Sequence, residues 1–268
     1  MSNTEIIDGF KCYAPALAHI NDGFSASEFN RLYELEERSF WFRSRNNLIR
    51  HFFKSQFGEK KADVCEIGCG TGYVLKGLTS LPNLTLSGSE IHLAGLKYAK
   101  TRLPHVDLFQ ADATALPFEE KYDAIGAFDV LEHIEEDVKA MKSIYNAIKL
   151  GGFFFVTVPQ YQWMWSVEDD IGFHKRRYNR RELKEKLQAS GFRVKFISSF
   201  VFALFPAIAM QRLLGKIKKR HAADAVEGHQ LPFLLDKLFY FLMQVDVFAI
   251  KNRISLPWGG SLVCIAAK

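Results

Sequence analysis

Short apolar runs recur along the middle of this chain, at Ala62 to Ile67, Leu84 to Ser89, Val106 to Gln110, Tyr122 to Phe128 and Gly152 to Val158. Each has the length of a strand, and stretches of helical period or turn residues separate them. Between the last two, a helix is expected over roughly Glu136 to Leu150, stopping at Gly151-Gly152. A further helix starts at Asn179, whose distance to Glu182 is that of a capping box, and stops at Gly191. Arg193 to Phe200 and Leu262 to Ala267 are the final strands. Strands that alternate with helices predict βαβ units and a mainly parallel sheet with helices on both faces.

The flanks read differently. Residues 1–24 carry Gly, Pro and Asn without a clear period. From Ser27, positions Phe29, Leu32, Tyr33 and Leu35 share a helix face, with Ser25 or Ser27 as the cap. A second helix is expected from about Arg45 to Phe57, presenting Leu48, Ile49, Phe52 and Phe53 on one side and stopping at Gly58. About 60 residues separate Phe200 from Leu262, far more than a usual connection, so this insertion must carry structure of its own. We expect two amphipathic helices there, Val201 to about Lys219 and Leu231 to about Asn252, joined by a polar linker around His221 to His229. The chain thus divides into a helical cap or lid (1–58), a ligand-binding core (59–200), a helical insertion (201–258) and the core's last strand (259–268).

Composition narrows the setting. The 268 residues are 48% hydrophobic and 24% charged, with a net charge of +5, an ordinary balance for one large α/β domain that names no partner. Cys12, Cys65, Cys69 and Cys264 show no paired framework, and no signal-peptide pattern precedes them, so four free thiols in a reducing, cytoplasmic setting are expected. No run reaches the roughly 18 to 20 apolar residues that span a bilayer. Phe200 to Leu214 approaches that length and is followed by Lys216, Lys218, Lys219 and Arg220, the arrangement of a helix lying in a membrane interface. The alternative is a lid or homodimer helix packed against Leu231 to Ile250.

The densest chemistry lies in Val64-Cys65-Glu66-Ile67-Gly68-Cys69-Gly70-Thr71-Gly72, an apolar strand entering alternating glycines. Glycines at 68, 70 and 72 let the backbone turn sharply and meet a ligand closely at the carboxyl end of the first core strand, where doubly wound sheets bind nucleotides. A dinucleotide fingerprint would place glycine at 73, where Tyr73 stands, which opposes an NAD-dependent oxidoreductase. Glu90 ends the next strand, where a carboxylate can accept both hydroxyls of a ribose. Asp112 ends the third, where it and the Ala113 backbone N–H could meet an adenine; helix capping is the alternative for either acid.

Glu66 to Gly72, Glu90, Ala111-Asp112-Ala113 and Phe128-Asp129-Val130-Leu131-Glu132-His133 together resemble the motifs of class I S-adenosylmethionine (SAM)-dependent methyltransferases. The likeness is closest to the small-molecule branch that includes ubiquinone-biosynthesis O-methyltransferases, and it covers roughly residues 60–200 and 260–268. It implies a Rossmann-like, seven-stranded sheet whose last strand runs antiparallel, with the insertion in the final hairpin. It also implies that SAM is the cofactor, that Glu66, Gly68, Gly70 and Gly72 hold its methionine part, and that Phe128 and Asp129 line its pocket. Ser39 to Asn46 resembles the aromatic-arginine segment of methyltransferases associated with glycan and lipid-linked assembly, which implies a lid with Arg43 near the SAM carboxylate; a staple docking the N-terminal helices is the alternative.

Methyl transfer from a sulfonium is an in-line displacement, so aligning the acceptor is the main task and a base matters only when the acceptor carries a proton. His133 and His174 are the candidate bases, since histidine titrates near neutral pH. Lys175-Arg176-Arg177 could clasp an anionic group on the acceptor or form a solvated basic face. Glu168-Asp169-Asp170 lacks nearby histidine ligands, and no metal site is expected. Tyr161, Trp163, Met164 and Trp165 could wall a hydrophobic acceptor. Val158-Pro159-Gln160-Tyr161 only vaguely resembles the nucleobase N-methylation motif and follows the wrong strand, so no nucleic acid partner is expected. The expected activity is O-methylation of a small or lipid-linked acceptor, with a SAM-binding protein without turnover as a further alternative.

Overall fold

The computed structural model describes residues 4–18, 26–217 and 232–268. Ser25, the linker around His221 to His229 and the basic residues Lys218 to Arg220 lie outside them. The strands are β1 (Glu5–Ile7), β2 (Phe10–Cys12), β3 (Ala62–Ile67), β4 (Leu84–Glu90), β5 (Asp107–Gln110), β6 (Tyr122–Phe128), β7 (Ile148–Pro159), β8 (Arg193–Phe200) and β9 (Ser261–Ala267). They form one sheet in the order β1-β2-β5-β4-β3-β6-β7-β9-β8. The strands from β5 to β7 run parallel, while β9 enters between β7 and β8 and is antiparallel to both. These seven strands have the implied topology, and the insertion falls in the β8–β9 hairpin.

The sheet has nine strands rather than seven because the N-terminus, expected to be helical, opens with a hairpin. Asp8 and Gly9 both have positive φ, 51° and 82°, as a two-residue turn between twisted strands requires. The hairpin pairs β2 parallel to β5 and so lengthens the sheet edge. Three-residue strands are too short to print a period on the sequence.

Helices cover both faces. On one, α5 (Asp137–Ala147) and α7 (Arg180–Ala189) bury Met141, Ile144, Leu183 and Leu187 against Ile125, Phe154 and Cys264. On the other, α2 (Phe40–Phe57) buries Leu48, Ile49, Phe52 and Phe53 against Val64, Phe155 and Val263, beside α3 (Tyr73–Leu78). Successive residues of β9 serve opposite faces, Leu262, Cys264 and Ala266 one and Val263 and Ile265 the other, which is why the strand reads as an unbroken apolar run. Burying each large aliphatic or aromatic side chain here contributes roughly 1.5–3 kcal/mol. All four cysteines are free and buried. The remaining helices before the insertion are α1 (Ala26–Leu35), α4 (Leu93–Arg102) and α6 (Val167–Ile171).

The insertion forms α8 (Phe205–Ile217) and α9 (Phe233–Lys251). From α9, Met243, Val247 and Ile250 are buried with α2, and the fully buried Asp246 accepts the backbone N–H groups of Phe202 and Ala203. Leu234, Leu238, Phe241, Val245 and Phe248 remain exposed on α9, spaced by four, three, four and three residues, so they form one straight apolar stripe.

Candidate active site

The carboxyl ends of the parallel strands converge on one cavity of about 1230 Å³. β3 ends at Glu66 and passes into the glycine turn, where Gly68, Gly70 and Gly72 all have positive φ. They divide the work. A Cβ on Gly72 would press within 3.2 Å of Ala99, so this glycine lets α4 approach. A Cβ on Gly70 would meet no protein atom within 4 Å, because that side of the turn faces the open cavity. Gly68 and Gly70 line the cavity and Gly72 does not.

Glu90, at the end of β4, fastens this turn: one carboxylate oxygen accepts the Gly70 N–H at 3.0 Å and the other the His92 N–H at 3.1 Å. Asp112 follows β5 and caps the short turn Ala113–Ala115, accepting the Thr114 N–H and hydroxyl, both at 2.8 Å. The capping alternative is therefore realised at Asp112, although Asp112 and Ala113 still line the cavity. Phe128 and Asp129 close β6 into the cavity, and Asp129, at φ 57°, pairs with Arg45.

Carboxylic side chains outnumber arginines and lysines in the wall, seven to five. Glu66 is 3% exposed and its Oε2 has no hydrogen-bond partner. Burial pushes its carboxyl well above the usual range, and the Arg45 guanidinium only partly opposes this. Burial likewise raises Glu36, against hydrogen bonds from Thr71 and Arg102. Arg102 also reaches the Thr71 carbonyl at 3.1 Å and lies over the Tyr33 ring, so this buried network ties the end of the α1 region to the glycine turn. Arg45 is the cation shared by these acids, packed over the rings of Trp41 and Phe42.

A second group sits where the loop before α7 meets the short turn Leu131–His133. The rings of His133 and His174 stand 4.7 Å apart, edge to face, and both line the cavity with Glu132. His174 Nδ1 lies 2.7 Å from Asp169 Oδ1. Arg177 grips the same carboxylate with two bonds of 2.8 and 2.9 Å. Burial alone would raise Asp169, yet the bonds from His174 and Arg177 hold it far below the usual carboxylate range. An anionic partner at Nδ1 fixes the proton there and leaves the Nε2 lone pair of His174 available. His133 is pushed down to about 3, first by burial and then by its neighbour His174, so it is neutral at physiological pH. Glu132 is fully buried, and burial followed by the nearby Asp129 raises its carboxyl strongly.

Several expectations meet a different geometry. Arg43 does not line the cavity: it pairs with Asp236 of α9 and lies over Tyr240. From this helix it is Arg45 that lines the cavity, because the helix starts at Phe40 rather than near Arg45, and residues two apart on a helix point to opposite sides. Arg43 therefore docks the insertion, as a staple would. Arg176 and Arg177 are engaged by Asp137 and Asp169 and clasp no anion on the cavity side. Of the apolar side chains Tyr161, Trp163, Met164 and Trp165 after β7, only Met164 reaches the cavity; Tyr161 and Trp163 stack on each other and pack against Phe205. Arg45, Glu36, Arg102, Glu132 and Asp169 were not anticipated as site residues.

A model of the methyltransferase domain matches residues 40–195. The chain belongs to this family. A probable S-adenosylmethionine-dependent methyltransferase of Mycolicibacterium smegmatis is 27% identical over 222 residues, covering 81% of either chain. The ubiquinone biosynthesis O-methyltransferase of Pseudomonas putida is 29% identical over 140 residues, covering 49% of this chain and 55% of its own. Among solved structures, Haemonchus contortus phosphoethanolamine N-methyltransferase 2 in complex with S-adenosyl-L-methionine superposes with a TM-score of 0.59 at 17% identity, covering 92% of this chain and 58% of that one.

This methyltransferase uses SAM as its cofactor, and its cavity fits that molecule. SAM carries a sulfonium and an ammonium, and the wall offers Glu66, whose Oε2 has no hydrogen-bond partner, among seven carboxylates. The missing Cβ at Gly70 leaves room for close approach to the turn. Among the described residues of the methyltransferase, no helix is long and apolar enough to cross a membrane.

Proposed function

We propose that this methyltransferase methylates an oxygen of a small or lipid-linked acceptor by direct in-line transfer. SAM supplies the methyl group on a sulfonium whose departure leaves a neutral thioether. Glu66, Gly68 and Gly70 hold the methionine part, while Gly72 shapes the turn behind them, with Arg45 in place of Arg43 near the ligand's carboxylate. Glu90 receives the ribose hydroxyls, Asp112 and the Ala113 N–H receive the adenine, and Phe128 and Asp129 close the pocket. Turning the lone pairs of Glu90 and Asp112 toward a ligand costs little, because each carboxylate oxygen accepts more than one bond.

The Asp169–His174 pair carries the oxygen assignment. His174, oriented by Asp169 at 2.7 Å, takes the hydroxyl proton at Nε2 as the oxygen attacks the methyl carbon, and Asp169 stabilises the imidazolium that forms. The apolar roof favours a hydrophobic acceptor, since Leu204, Ala207 and Ile208 of the insertion line the cavity. The exposed stripe of α9 is the surface through which the protein would rest on a membrane interface to reach a lipid-linked substrate.

Calorimetric titration of the protein with SAM, S-adenosylhomocysteine and NAD, repeated on Glu90→Ala and Gly70→Val, tests the cofactor site. Binding of both SAM-type ligands, weakened by either substitution, supports it; binding of NAD alone refutes it. Mass spectrometry of phenolic, glycan and polyprenyl acceptors incubated with SAM then tests the oxygen assignment, and a product methylated on nitrogen would overturn it.

A further inference from the structure

We infer that Glu132, His133 and His174 form a binding site for one divalent transition-metal ion of the zinc or cobalt type, opening into the cavity. One potential ligand atom from each of the three side chains lies within 4.8 Å of the other two. A tetrahedral ion with bonds of about 2.0 Å would draw such atoms to about 3.3 Å of one another, a movement within reach of side-chain rotation.

Backbone bonds hold the cluster together. The Lys175 N–H donates to the Glu132 carbonyl at 2.7 Å, and the His174 N–H donates to the Asp169 carbonyl at 2.9 Å, so the loop carrying His174 is fastened to the turn carrying the other two. Asp169 holds Nδ1 of His174 and is itself gripped by Arg177, the carboxylate–histidine arrangement that aims Nε2 at a metal and raises its basicity.

Glu132 points independently to a cation. It is fully buried, and neither carboxylate oxygen has a hydrogen-bond partner. A buried carboxylate in that state is costly, and a proton or a metal ion bound to its free oxygens relieves the cost. Two imidazoles and one carboxylate select borderline ions such as zinc, cobalt or iron(II) over magnesium and calcium, which prefer all-oxygen shells. Three protein ligands leave at least one position open, as in metal centres that meet a substrate rather than in closed structural ones. The sequence hides this set because His174 stands 42 residues beyond Glu132, on another element.

Metal binding does not depend on the proposed methyl transfer; only its consequence for catalysis does. A ring nitrogen that ligates a cation cannot also take a proton, so the occupied cluster and His174 acting as base are alternative states of one site. On the reading of His174 given above, added zinc would suppress the transfer.

Cobalt(II) titration of chelator-treated protein, followed by visible absorption and competed with zinc, tests the site. Wild-type protein should bind one equivalent with the absorption of a low-coordinate site. His174→Ala and Glu132→Gln should each weaken binding by about 100-fold and Asp169→Asn by about 10-fold, the latter within the range for an outer partner. S-adenosylhomocysteine affinity of each variant reports whether the fold survives. If Glu132→Gln does not fold, His174→Ala decides, because that ring is partly exposed. Absence of cobalt binding by wild-type protein, or binding undiminished in folded His174→Ala, would overturn the inference. Cofactor binding without cobalt binding removes only the metal site, whereas cobalt binding without cofactor binding removes only the cofactor assignment.

Discussion

Replacing Arg45 by methionine removes the cation that faces Asp129, Glu36 and Glu66 while keeping a side chain of similar length over Trp41 and Phe42. Breaking a buried ion pair from one side costs about 3–5 kcal/mol. The Arg45 side chain is 8% exposed and that of Asp129 20%, so solvent reaches the abandoned carboxylate and the lower end, about 3 kcal/mol, applies. For a chain of this size that is a fall of about 6–12 °C in Tm. The loss must also depend on pH. Glu36 and Glu66 have folded pKa values raised by burial and pulled back by Arg45. Without Arg45 they rise further, so the folded state holds more protons than the unfolded state over a wider window above about pH 4.5, and stability falls as pH climbs through it. Because both carboxyls are shifted upward, less of this contribution is lost at pH 5 than at pH 7, and the substitution costs less at the lower pH. Thermal unfolding of both proteins, monitored by circular dichroism at pH 5 and pH 7, measures this. A Tm within about 2 °C of wild type at pH 7, or a larger loss at pH 5 than at pH 7, would refute the assignment of Arg45 as the shared counter-charge.

Wild-type protein without cofactor carries a weaker form of the same dependence: stability contributed through Glu36 and Glu66 declines as pH rises above about 4.5, and denaturant titrations on either side of that value should show it once the opposing, low-pKa Asp137 and Asp169 are allowed for. His174→Ala should lower kcat by between about 100-fold and 10,000-fold while S-adenosylhomocysteine affinity stays near wild type; a matching loss of affinity would mean that His174 merely supports the pocket. Leu238→Glu with Phe241→Glu should abolish co-sedimentation with phospholipid vesicles and leave Tm nearly unchanged, because both side chains are exposed. If instead sedimentation velocity shows a wild-type dimer that these changes dissociate, the stripe meets a second copy and the membrane assignment fails.

What could be read from the sequence was local. The glycine turn, the strand ending at Glu90 and the pair Phe128-Asp129 announced themselves because each lies within a few residues of a strand end, where the fold delivers ligand contacts. The Asp8-Gly9 hairpin was also written locally, as a turn dipeptide, but strands of three residues gave it no rhythm. Arg43 and Arg45 were exchanged for a geometric reason: two residues on a helix decide which side a guanidinium faces, and the helix began five residues before Arg45. Glu36 with Arg102, and Glu132 with His174, join positions distant in the chain, and no spacing rule reaches across such loops. Asp169 was visible as an acid, but its meaning came from the two side chains that converge on it.

The cavity is built from two sources. Its sheet side consists of strand ends and the turns directly after them, positioned by a sheet buried on both faces, so substitutions there should change affinity for SAM before they change anything else. Its roof comes from Leu204, Ala207, Ile208, Gln211 and Arg212 of the insertion, together with Phe239 of α9. That roof is fastened at a few polar points: Arg43 to Asp236, Arg212 to Glu168, and Asp246 to the backbone at Phe202 and Ala203. The same insertion is also anchored in the core, where Met243, Val247 and Ile250 of α9 are buried with α2. Substitutions in the insertion and in the loop carrying His174 should therefore change which acceptor is methylated while leaving SAM affinity near wild type.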